Sequence, residues 1–320
     1  MVNKTKILVT GSLGVIGTGL VKELESRGND VFGIDLYHSR GETGWEHRME
    51  NIEKPNYSRC DVSDYRQLER VFKKYGPFDY VFHLAAEFGR WNGEDFYEQV
   101  WKSNAIGTKN MIRLQEKYDF KMIFTSSSEV YGDYPDIMEE EVMNNKEVKQ
   151  LNDYALSKWV SEQQILNSYT QHGTETVIIR YFNTGGKGET YHSYRSVNAK
   201  FCYNLLMGRP ITVYTGHKRT SLAVEDAVRT TANIIDNFKT GEVYNIGGKE
   251  HHTIERLAEL AIKHTGADPS LLILTESEIL TTMDKKVDTS KAERDLNHKI
   301  TLGLEEQVKQ TVDWMKEYYK

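Results

Sequence analysis

The chain has 320 residues, and its 41 Lys and Arg against 47 Asp and Glu give a formal net charge of -6. This acidic balance argues against a dedicated nucleic-acid-binding protein, and the length suffices for one large α/β domain with a smaller partner. Its two cysteines, Cys60 and Cys202, form no C-x-x-C motif, so neither a disulfide framework nor a metal site is predicted. The first predicted strand begins almost at the N-terminus and no apolar run approaches transmembrane length, so we expect a cytoplasmic protein with no membrane contact.

Strand and helix signals alternate through the first half of the chain. In chain order they cover Lys6–Thr10, Val15–Arg27, Val31–Ile34, Tyr65–Lys74, Tyr80–Leu84, Gly107–Lys117, Lys121–Thr125, Tyr154–Thr170 and Thr176–Arg180. This alternation predicts right-handed βαβ units, and therefore an α/β fold with a doubly wound parallel sheet.

Beyond about Asn183 the pattern becomes irregular. Signals for further elements follow at Ser196–Met207, Ile211–Tyr214, Val243–Ile246, Thr253–Thr265 and Leu304–Tyr319. We place a boundary near Gly185, with residues 1–185 as a first domain and residues 186–320 as a smaller α/β domain. A segment near residues 215–235 is expected to return to the first domain. The acidic stretch from Met138 to Lys149 is predicted to be a solvated loop over the cleft.

A glycine-rich turn, Gly11-Ser12-Leu13-Gly14-Val15-Ile16-Gly17, joins the first strand to the first helix. Such a turn leaves backbone amides free at a helix start, and the helix dipole adds partial positive charge there, which suits a pyrophosphate. The second strand ends in Asp35, whose carboxylate fits adenosine ribose hydroxyls and would repel a 2′-phosphate. We therefore predict a Rossmann-type site for NAD rather than NADP, with Arg40 as the nearby residue that leaves NADP open. A glycine turn of structural importance alone is the alternative.

Tyr154 and Lys158 lie four residues apart on a predicted helix and so share one face. An ammonium beside a phenol lowers the pKa of the tyrosine, which can then remove a hydroxyl proton while hydride leaves the same carbon. Ser127 follows the apolar run Met122–Phe124 and is predicted at the carboxyl end of a strand, where doubly wound folds bind ligands. Its hydroxyl is expected to hold the reacting oxygen. A chance pair on an amphipathic helix and a serine-rich turn are the structural alternatives.

Further motifs accompany these residues over nearly the whole chain. They include Asp61-Val62, His83-Leu84-Ala85-Ala86, Asn104 with Gly107-Thr108, Arg180 with Asn183, Arg219 before Val224-Glu225-Asp226, and Asn245-Ile246-Gly247. In order and spacing, the set resembles the extended short-chain dehydrogenases/reductases that modify nucleotide sugars. The resemblance implies NAD as cofactor, a UDP-, GDP- or dTDP-linked sugar as substrate, and a homodimer. The dimer would form through helices near Asp95–Lys117 and Tyr154–Thr170.

The resemblance also implies roles for particular residues. The cofactor would contact Gly11, Gly14, Val15, Ile16, Gly17, Asp35, Asp61, Val62, Leu84, Ala85, Ala86, Asn104, Tyr154 and Lys158. Asp61 and Val62 would flank the adenine, and Lys158 would hold the nicotinamide ribose. The substrate would contact Ser128, Asn183, Arg195, Arg219 and Arg90, with the forked donors of Arg219 on phosphate. The alternatives are that Asn104 and Asn183 only tie down loops and that Arg219 is an exposed arginine.

Chemistry in the resembled family begins with oxidation at sugar C4, followed by epimerisation, loss of water, or loss of C6 as carbon dioxide. Glu129 favours elimination, either 4,6-dehydration or uronate decarboxylation, because simple 4-epimerases usually carry a small or neutral residue at that position. Ser128 cannot easily act as an acid, which weakens a dehydratase of the dTDP-glucose type. A decarboxylase needs a cation for the sugar carboxylate, and Arg90 and Arg195 are the candidates. A Glu129 carboxylate bound to neighbouring backbone amides is the structural alternative.

Two departures from the family pattern leave the substrate open. The usual N-x-Y-G-P segment is Asn183-Thr184-Gly185-Gly186-Lys187, and the common Leu-Gly-Trp near the C-terminus is Leu296-Asn297-His298. Tyr191, His192, Tyr194 and Arg195 belong either to an unusual substrate loop or to a polar surface loop. A 4-epimerase is the principal alternative. A net dehydrogenase that releases NADH and a non-catalytic NAD-binding protein are alternatives of other classes. Retention of Ser127, Tyr154 and Lys158 disfavours the last of these.

Overall fold

Seven parallel strands form the central sheet, in the order Val243–Ile246, Thr176–Tyr181, Lys121–Ser127, Tyr80–His83, Lys6–Thr10, Asp30–Asp35 and Tyr57–Arg59. The computed structural model describes residues 4–36, 56–276 and 281–319. The strands are β1 (Lys6–Thr10), β2 (Asp30–Asp35), β3 (Tyr57–Arg59), β4 (Tyr80–His83), β5 (Lys121–Ser127), β6 (Thr176–Tyr181), β7 (Thr184–Gly185), β8 (Ile211–Tyr214), β9 (Lys218–Thr220), β10 (Leu222–Ala223), β11 (Val243–Ile246), β12 (His251–Thr253) and β13 (Leu272–Thr275).

Twelve α-helices connect and cover these strands in the described ranges. They are α1 (Val15–Ser26), α2 (Tyr65–Tyr75), α3 (Arg90–Asp95), α4 (Tyr97–Trp101), α5 (Gly107–Tyr118), α6 (Val142–Asn145), α7 (Asp153–His172), α8 (Val197–Leu206), α9 (Val224–Ala232), α10 (Ile254–Thr265), α11 (Ser290–Leu296) and α12 (Leu304–Tyr318). None of them is both long and apolar enough to cross a lipid bilayer.

Apolar layers cover both faces of the large sheet. Leu8 lies in a core with apolar residues of α2 and α5, whereas Ile7 and Val9 lie in a core with α1 and α9. Strands buried on both faces appear in sequence as continuous apolar runs, as in Ile7-Leu8-Val9. The structure therefore confirms the predicted doubly wound α/β fold.

A smaller lobe follows β6 and has a separate apolar core. Helices α8, α10 and α12 pack around it together with β8. The short strands here form two-stranded ladders, β8 with β13 in parallel and β9 with β12 antiparallel. These ladders carry the loops that face the larger lobe.

The second half of the chain returns to the large sheet for longer than expected. Helix α9 packs on α1. In addition, β11 pairs with β6 in parallel, so the return extends to Ile246. Hydrophobic burial explains the extension, because Tyr244 and Ile246 are fully buried in the same core.

The predicted loop over the cleft at Met138 to Lys149 is wrong in its position. None of these residues lines the cleft in the described part of the chain. The N–H of Met138 instead donates to the carbonyl of Lys286 at 2.8 Å, and Met138 is fully buried. Glu140 is also buried, and its Oε1 accepts a 2.7 Å hydrogen bond from the N–H of Asn245. Pairing with later segments draws the start of this stretch into the protein.

Candidate active site

A cleft of about 640 Å³ runs along the carboxyl ends of the central strands and continues between the two lobes. The residues singled out from sequence that line it are Gly11, Gly14, Val15, Ile16, Gly17, Asp35, Asp61, Val62, Leu84, Ala85, Ala86, Arg90, Ser127, Ser128, Glu129, Tyr154, Lys158, Asn183, Arg195 and Arg219. Because these residues come from both lobes, the cleft can hold one long ligand against both.

In the turn between β1 and α1, the backbone leaves no room for a side chain at Gly11 or Gly17. A Cβ on Gly17 would lie 2.1 Å from the carbonyl oxygen of Gly11, and one on Gly11 would lie 2.8 Å from the nitrogen of Ala85. Gly11 also has a φ of 70°, in the left-handed region that favours glycine. Gly14 caps α1 without any side-chain hydrogen bond. The helix N-terminus is thus bare and approachable, which fits the pyrophosphate of a dinucleotide.

Asp35 ends β2 beside this turn. Its Oδ2 accepts a 2.8 Å hydrogen bond from the N–H of Leu13, which holds the carboxylate at the cleft wall. Asp61 and Val62 line the same part of the cleft. An acidic group here fits ribose hydroxyls, as NAD requires. Arg40, the residue that left NADP open, lies outside the described residues.

Asn104 is the exception among the singled-out residues, because it is buried and does not line the cleft. Its Oδ1 accepts a 2.9 Å hydrogen bond from the N–H of Glu87, and its Nδ2 donates to the carbonyl of Glu87 at 2.9 Å. The same Nδ2 donates to the hydroxyl of Ser157, also at 2.9 Å. This geometry matches the alternative in which Asn104 ties down a loop, here the loop that follows Ala85-Ala86.

Ser127 and Tyr154 meet in the cleft through a hydrogen bond between their side chains. Ser127 reaches this position as the last residue of β5, and Tyr154 lies in the first turn of α7, which Asn152 caps at the N–H of Ala155. Burial raises the pKa of Tyr154 to about 12, the bond to Ser127 lowers it in part, and the negative charge of Glu129 raises it.

Lys158 points to the backbone and not to the phenol. Its Nζ donates a 2.8 Å hydrogen bond to the carbonyl of Thr125, and burial lowers its pKa to about 7. The prediction that Lys158 lowers the pKa of Tyr154 is therefore wrong for this structure. Sequence spacing places two side chains on one helix face, but it does not show that burial removes the water on which the phenolate depends.

A network of buried polar side chains contacts the end of β5. Glu162 on α7 accepts two hydrogen bonds from Arg180 on β6, from Nε at 3.1 Å and from Nη2 at 2.7 Å. Ser126 donates to the same carboxylate at 2.5 Å, and Arg180 also donates to the hydroxyl of Tyr131 at 2.9 Å. Buried charges need such pairing. The network joins α7, which carries Tyr154 and Lys158, to β6 and to β5, which ends in Ser127.

Glu129 contacts a lysine that sequence reasoning missed. Its Oε1 accepts a hydrogen bond from Nζ of Lys285, which is 1% exposed. Burial raises the pKa of Glu129, but the charges of Lys285 and Arg219 outweigh burial and hold that pKa below its usual value. The contacts are with side chains, so the alternative of a carboxylate bound to backbone amides does not describe this structure. Lys285 lies in no sequence motif discussed above, and its role becomes visible only because the fold places it beside Glu129.

Three arginines line the cleft: Arg90, Arg195 and Arg219. Arg219 is 8% exposed, and its Nη1 donates to the carbonyls of Lys218 at 2.7 Å and Met283 at 2.9 Å. It is therefore not the exposed arginine of the alternative interpretation. The guanidinium of Arg90 stacks 4.4 Å from the ring of Trp91. That of Arg195 lies 4.8 Å from the ring of Phe88 and belongs to the 191–195 loop.

The comparisons with known proteins agree with this geometry. The model of the NAD dependent epimerase/dehydratase family matches residues 7–247. The chain belongs to this family. It is accordingly an NAD-dependent enzyme, as predicted, and the glycine turn and Asp35 fit that cofactor.

Individual members of the family resemble the chain over nearly its full length. The UDP-N-acetyl-alpha-D-glucosaminuronate decarboxylase of Bacillus cytotoxicus is 27% identical, with 98% of each chain covered. The dTDP-glucose 4,6-dehydratase of Haemophilus influenzae is 25% identical, with 96% of this chain and 97% of the relative covered. The crystal structure of a UDP-glucose 4-epimerase from Thermotoga maritima superposes with a TM-score of 0.87 at 25% identity, covering 99% of this chain and 100% of that chain.

Proposed function

We propose that this enzyme acts on a nucleotide-diphosphate sugar through a 4-keto intermediate and then eliminates, as a 4,6-dehydratase or a uronate decarboxylase. The observation that carries the proposal is the carboxylate of Glu129 in the cleft wall beside Tyr154, ionised by its contact with Lys285. Simple epimerisation at C4 needs a hydroxyl proton acceptor and a hydride acceptor. A second, ionised proton acceptor supports chemistry beyond C4.

The first step uses the side chains at the end of β5 and the start of α7. When bound, NAD supplies the hydride acceptor and a positively charged ring in the cleft. Tyr154 takes the proton of the C4 hydroxyl as a phenolate, a form that the positive charge of the bound cofactor favours, while Ser127 holds the same oxygen by its hydroxyl. Lys158, fixed on the carbonyl of Thr125, is proposed to hold the nicotinamide ribose. Its contact with the backbone orients it before any ligand arrives.

The substrate phosphates would lie against arginines of the cleft wall. We propose that Arg219, Arg195 and Arg90 bind the diphosphate or a sugar carboxylate, with Ser128 and Asn183 on the sugar. Guanidinium groups suit this function because their donors form a planar fork. In this division residues 1–185 hold NAD and contribute Arg90, Ser128 and Asn183 to the sugar-nucleotide site, residues 186–320 contribute Arg195 and Arg219, and the return segment links the two parts.

A 4-epimerase is the second candidate, because the Thermotoga maritima epimerase shares the fold at a TM-score of 0.87. The two candidates differ in product mass. The test incubates the purified enzyme and NAD with UDP-glucuronate, UDP-glucose, UDP-N-acetylglucosamine, GDP-mannose and dTDP-glucose. Elimination gives a product lighter by water or carbon dioxide. A product of unchanged mass and new retention would replace the elimination proposal with epimerisation, and accumulating NADH would indicate a net dehydrogenase.

Two variants make this test specific. Tyr154→Phe should abolish all turnover, because it removes the proton acceptor, a loss of about 10²–10⁴-fold. Tyr169→Phe, on the same helix but 47% exposed, is the matched control and should be unchanged. A Tyr154→Phe enzyme with full activity would rule out the proposed first step.

We also propose that the enzyme is a cytoplasmic homodimer. Cys60 and Cys202 are free, buried thiols, which suits a reducing compartment. The helices expected at the dimer interface expose large apolar side chains, including Tyr97, Ile106 and Leu156. Apolar side chains exposed on adjacent helices are typical of a surface that a partner covers.

A further inference from the structure

The segment that carries Lys285 is bound to the smaller lobe by backbone pairing. The N–H of Lys285 donates to the carbonyl of Lys218 at 3.1 Å, and the hydroxyl of Thr220 donates to the carbonyl of Lys285 at 2.9 Å. The N–H of Lys218 in turn donates to the carbonyl of Met283 at 2.8 Å. These bonds to β9 fix the ammonium of Lys285 against Glu129, a residue of the larger lobe.

Lys285 lies behind Glu129, outside the set of residues that line the cleft in the described part of the chain. Its ammonium is thus shielded from a substrate, whereas the carboxylate of Glu129 faces the cleft. An effect of Lys285 on chemistry must therefore pass through a neighbour that lines the cleft, and Glu129 is the neighbour to which Lys285 donates a hydrogen bond. Burial of an ammonium is costly without a partner, so the contact constrains the carboxylate to one position.

The charges around this pair all favour an ionised carboxylate. Glu129 is faced by Lys285 and Arg219, and its other titratable neighbour is Tyr154, which is neutral in the ordinary pH range. Lys285 is faced by Glu129, Arg219 and Arg90. The two arginines repel its proton, and the carboxylate attracts it. Glu129 is therefore ionised before the reaction begins, in the form that can accept a proton.

We propose that Lys285 is the positioning residue that fixes Glu129 as the proton acceptor for C5 of the 4-keto sugar. In this step the C5–H bond breaks, the proton moves to a carboxylate oxygen of Glu129, and the electron pair passes to the C4 carbonyl oxygen as an enolate. The inference rests on the proposed function and narrows it. The enolate then expels the C6 hydroxyl, which takes the proton held by Glu129 and leaves as water, and the hydride removed at C4 is returned to C6. The substrate must therefore carry a hydroxyl at C6, as a nucleotide-linked neutral hexose does.

The test follows deuterium from D2O into C5 of the product, with the same five nucleotide sugars and NAD. Lys285→Met keeps the length of the side chain but removes the charge, and should slow C5 exchange by at least about tenfold. The acid limb of the pH–rate profile should move to higher pH, because Glu129 loses the charge that keeps its pKa low. Lys285→Arg should restore the rate of C5 exchange and the position of the acid limb. Lys286→Met, at an exposed neighbour, is the matched control and should change neither.

A measurement without substrate complements the kinetics. The carboxyl carbon of Glu129, assigned by difference from Glu129→Gln in ¹³C-glutamate-labelled protein, should titrate at higher pH in Lys285→Met than in the wild type. An unmoved titration midpoint, or C5 exchange as fast as in the wild type, would overturn the role of Lys285. If Lys285→Met does not fold, Glu129→Gln/Lys285→Met should match Glu129→Gln in stability and NAD affinity; a further loss would assign Lys285 a structural role instead.

Failure of this inference is distinguishable from failure of the proposed function. A product lighter by carbon dioxide keeps the elimination proposal but overturns C5 proton removal, because decarboxylation breaks the C5–C6 bond instead. A product of unchanged mass without C5 deuterium overturns both. A product lighter by water, with C5 deuterium that depends on Lys285, supports both.

Discussion

The phenol hydroxyl of Tyr194 donates a 2.6 Å hydrogen bond to Oδ2 of Asp95, the last residue of α3. The 191–195 loop is also held at its other end, because the N–H of Tyr191 donates to the hydroxyl of Tyr319 at 2.8 Å. The ring of Tyr191 stacks 4.1 Å from that of Tyr203 on α8. The loop therefore spans from the smaller lobe to the larger one at the edge of the cleft.

Removing the Tyr194 hydroxyl should weaken substrate binding and leave the chemical step intact. In Tyr194→Phe we expect KM for the sugar nucleotide to rise about two- to tenfold, the cost of one hydrogen bond, with kcat and NAD affinity unchanged. Steady-state kinetics on the substrate found in the panel would measure this. A fall in kcat at constant KM would show that the loop acts on chemistry and not on binding.

Neutralising Asp35 should relax the choice of cofactor. Asp35→Asn keeps an oxygen for the N–H of Leu13 but removes the charge that repels a 2′-phosphate. We expect the ratio of NADP to NAD affinity to rise about tenfold, or about 1.4 kcal/mol, in fluorescence titrations. Asp30→Asn, at the opposite end of β2, is the control. An unchanged ratio would mean that another group excludes NADP.

The buried ammonium of Lys158 should make stability depend on pH. Its pKa is about 7 in the folded protein and near the ordinary 10.5 when unfolded, so between these values the unfolded chain binds more protons. The free energy of unfolding should therefore rise with pH from 7 to 9, by up to about 1.4 kcal/mol per unit. Urea unfolding of wild type and Lys158→Met should show this extra slope in the wild type only. The same slope of unfolding free energy against pH in both proteins would contradict this prediction.

A charge on the proposed dimer face should separate the protomers. Ile106 is 49% exposed at the end of the π-helical turn between α4 and α5, and Ile106→Glu would place a carboxylate in the interface. We expect light scattering to give the mass of two chains for the wild type and one for this variant. Ile273→Glu, at a 48% exposed residue of the smaller lobe, should remain dimeric. A monomeric wild type would refute the dimer.

Local sequence was sufficient for most of the larger lobe. The bounds of β1 and β11 are those predicted, because each is a short apolar run ended by a polar or glycine residue. The glycine turn and Ser127 were also found where expected. Their positions depend on strand ends, which the apolar pattern marks directly.

The relationships missed from sequence depend on distant pairing. Lys285 reaches Glu129 across 156 residues, because its segment pairs with β9. The raised pKa of Tyr154 depends on burial among residues of several elements. The burial of Met138 depends on a backbone bond to Lys286. Neither periodicity nor motif spacing contains such information.

The separation of Glu129 and Lys285 has a consequence for biosynthesis. A ribosome adds 156 more residues after Glu129 before the matching ammonium exists. A nascent chain that extends past Lys158 but not to Lys285 already contains the glycine turn, Ser127, Tyr154 and Lys158. Its Glu129 carboxylate does not yet have the ammonium of Lys285 as a counter-ion. The group proposed to act on C5 is thus completed later in translation than Ser127, Tyr154 and Lys158.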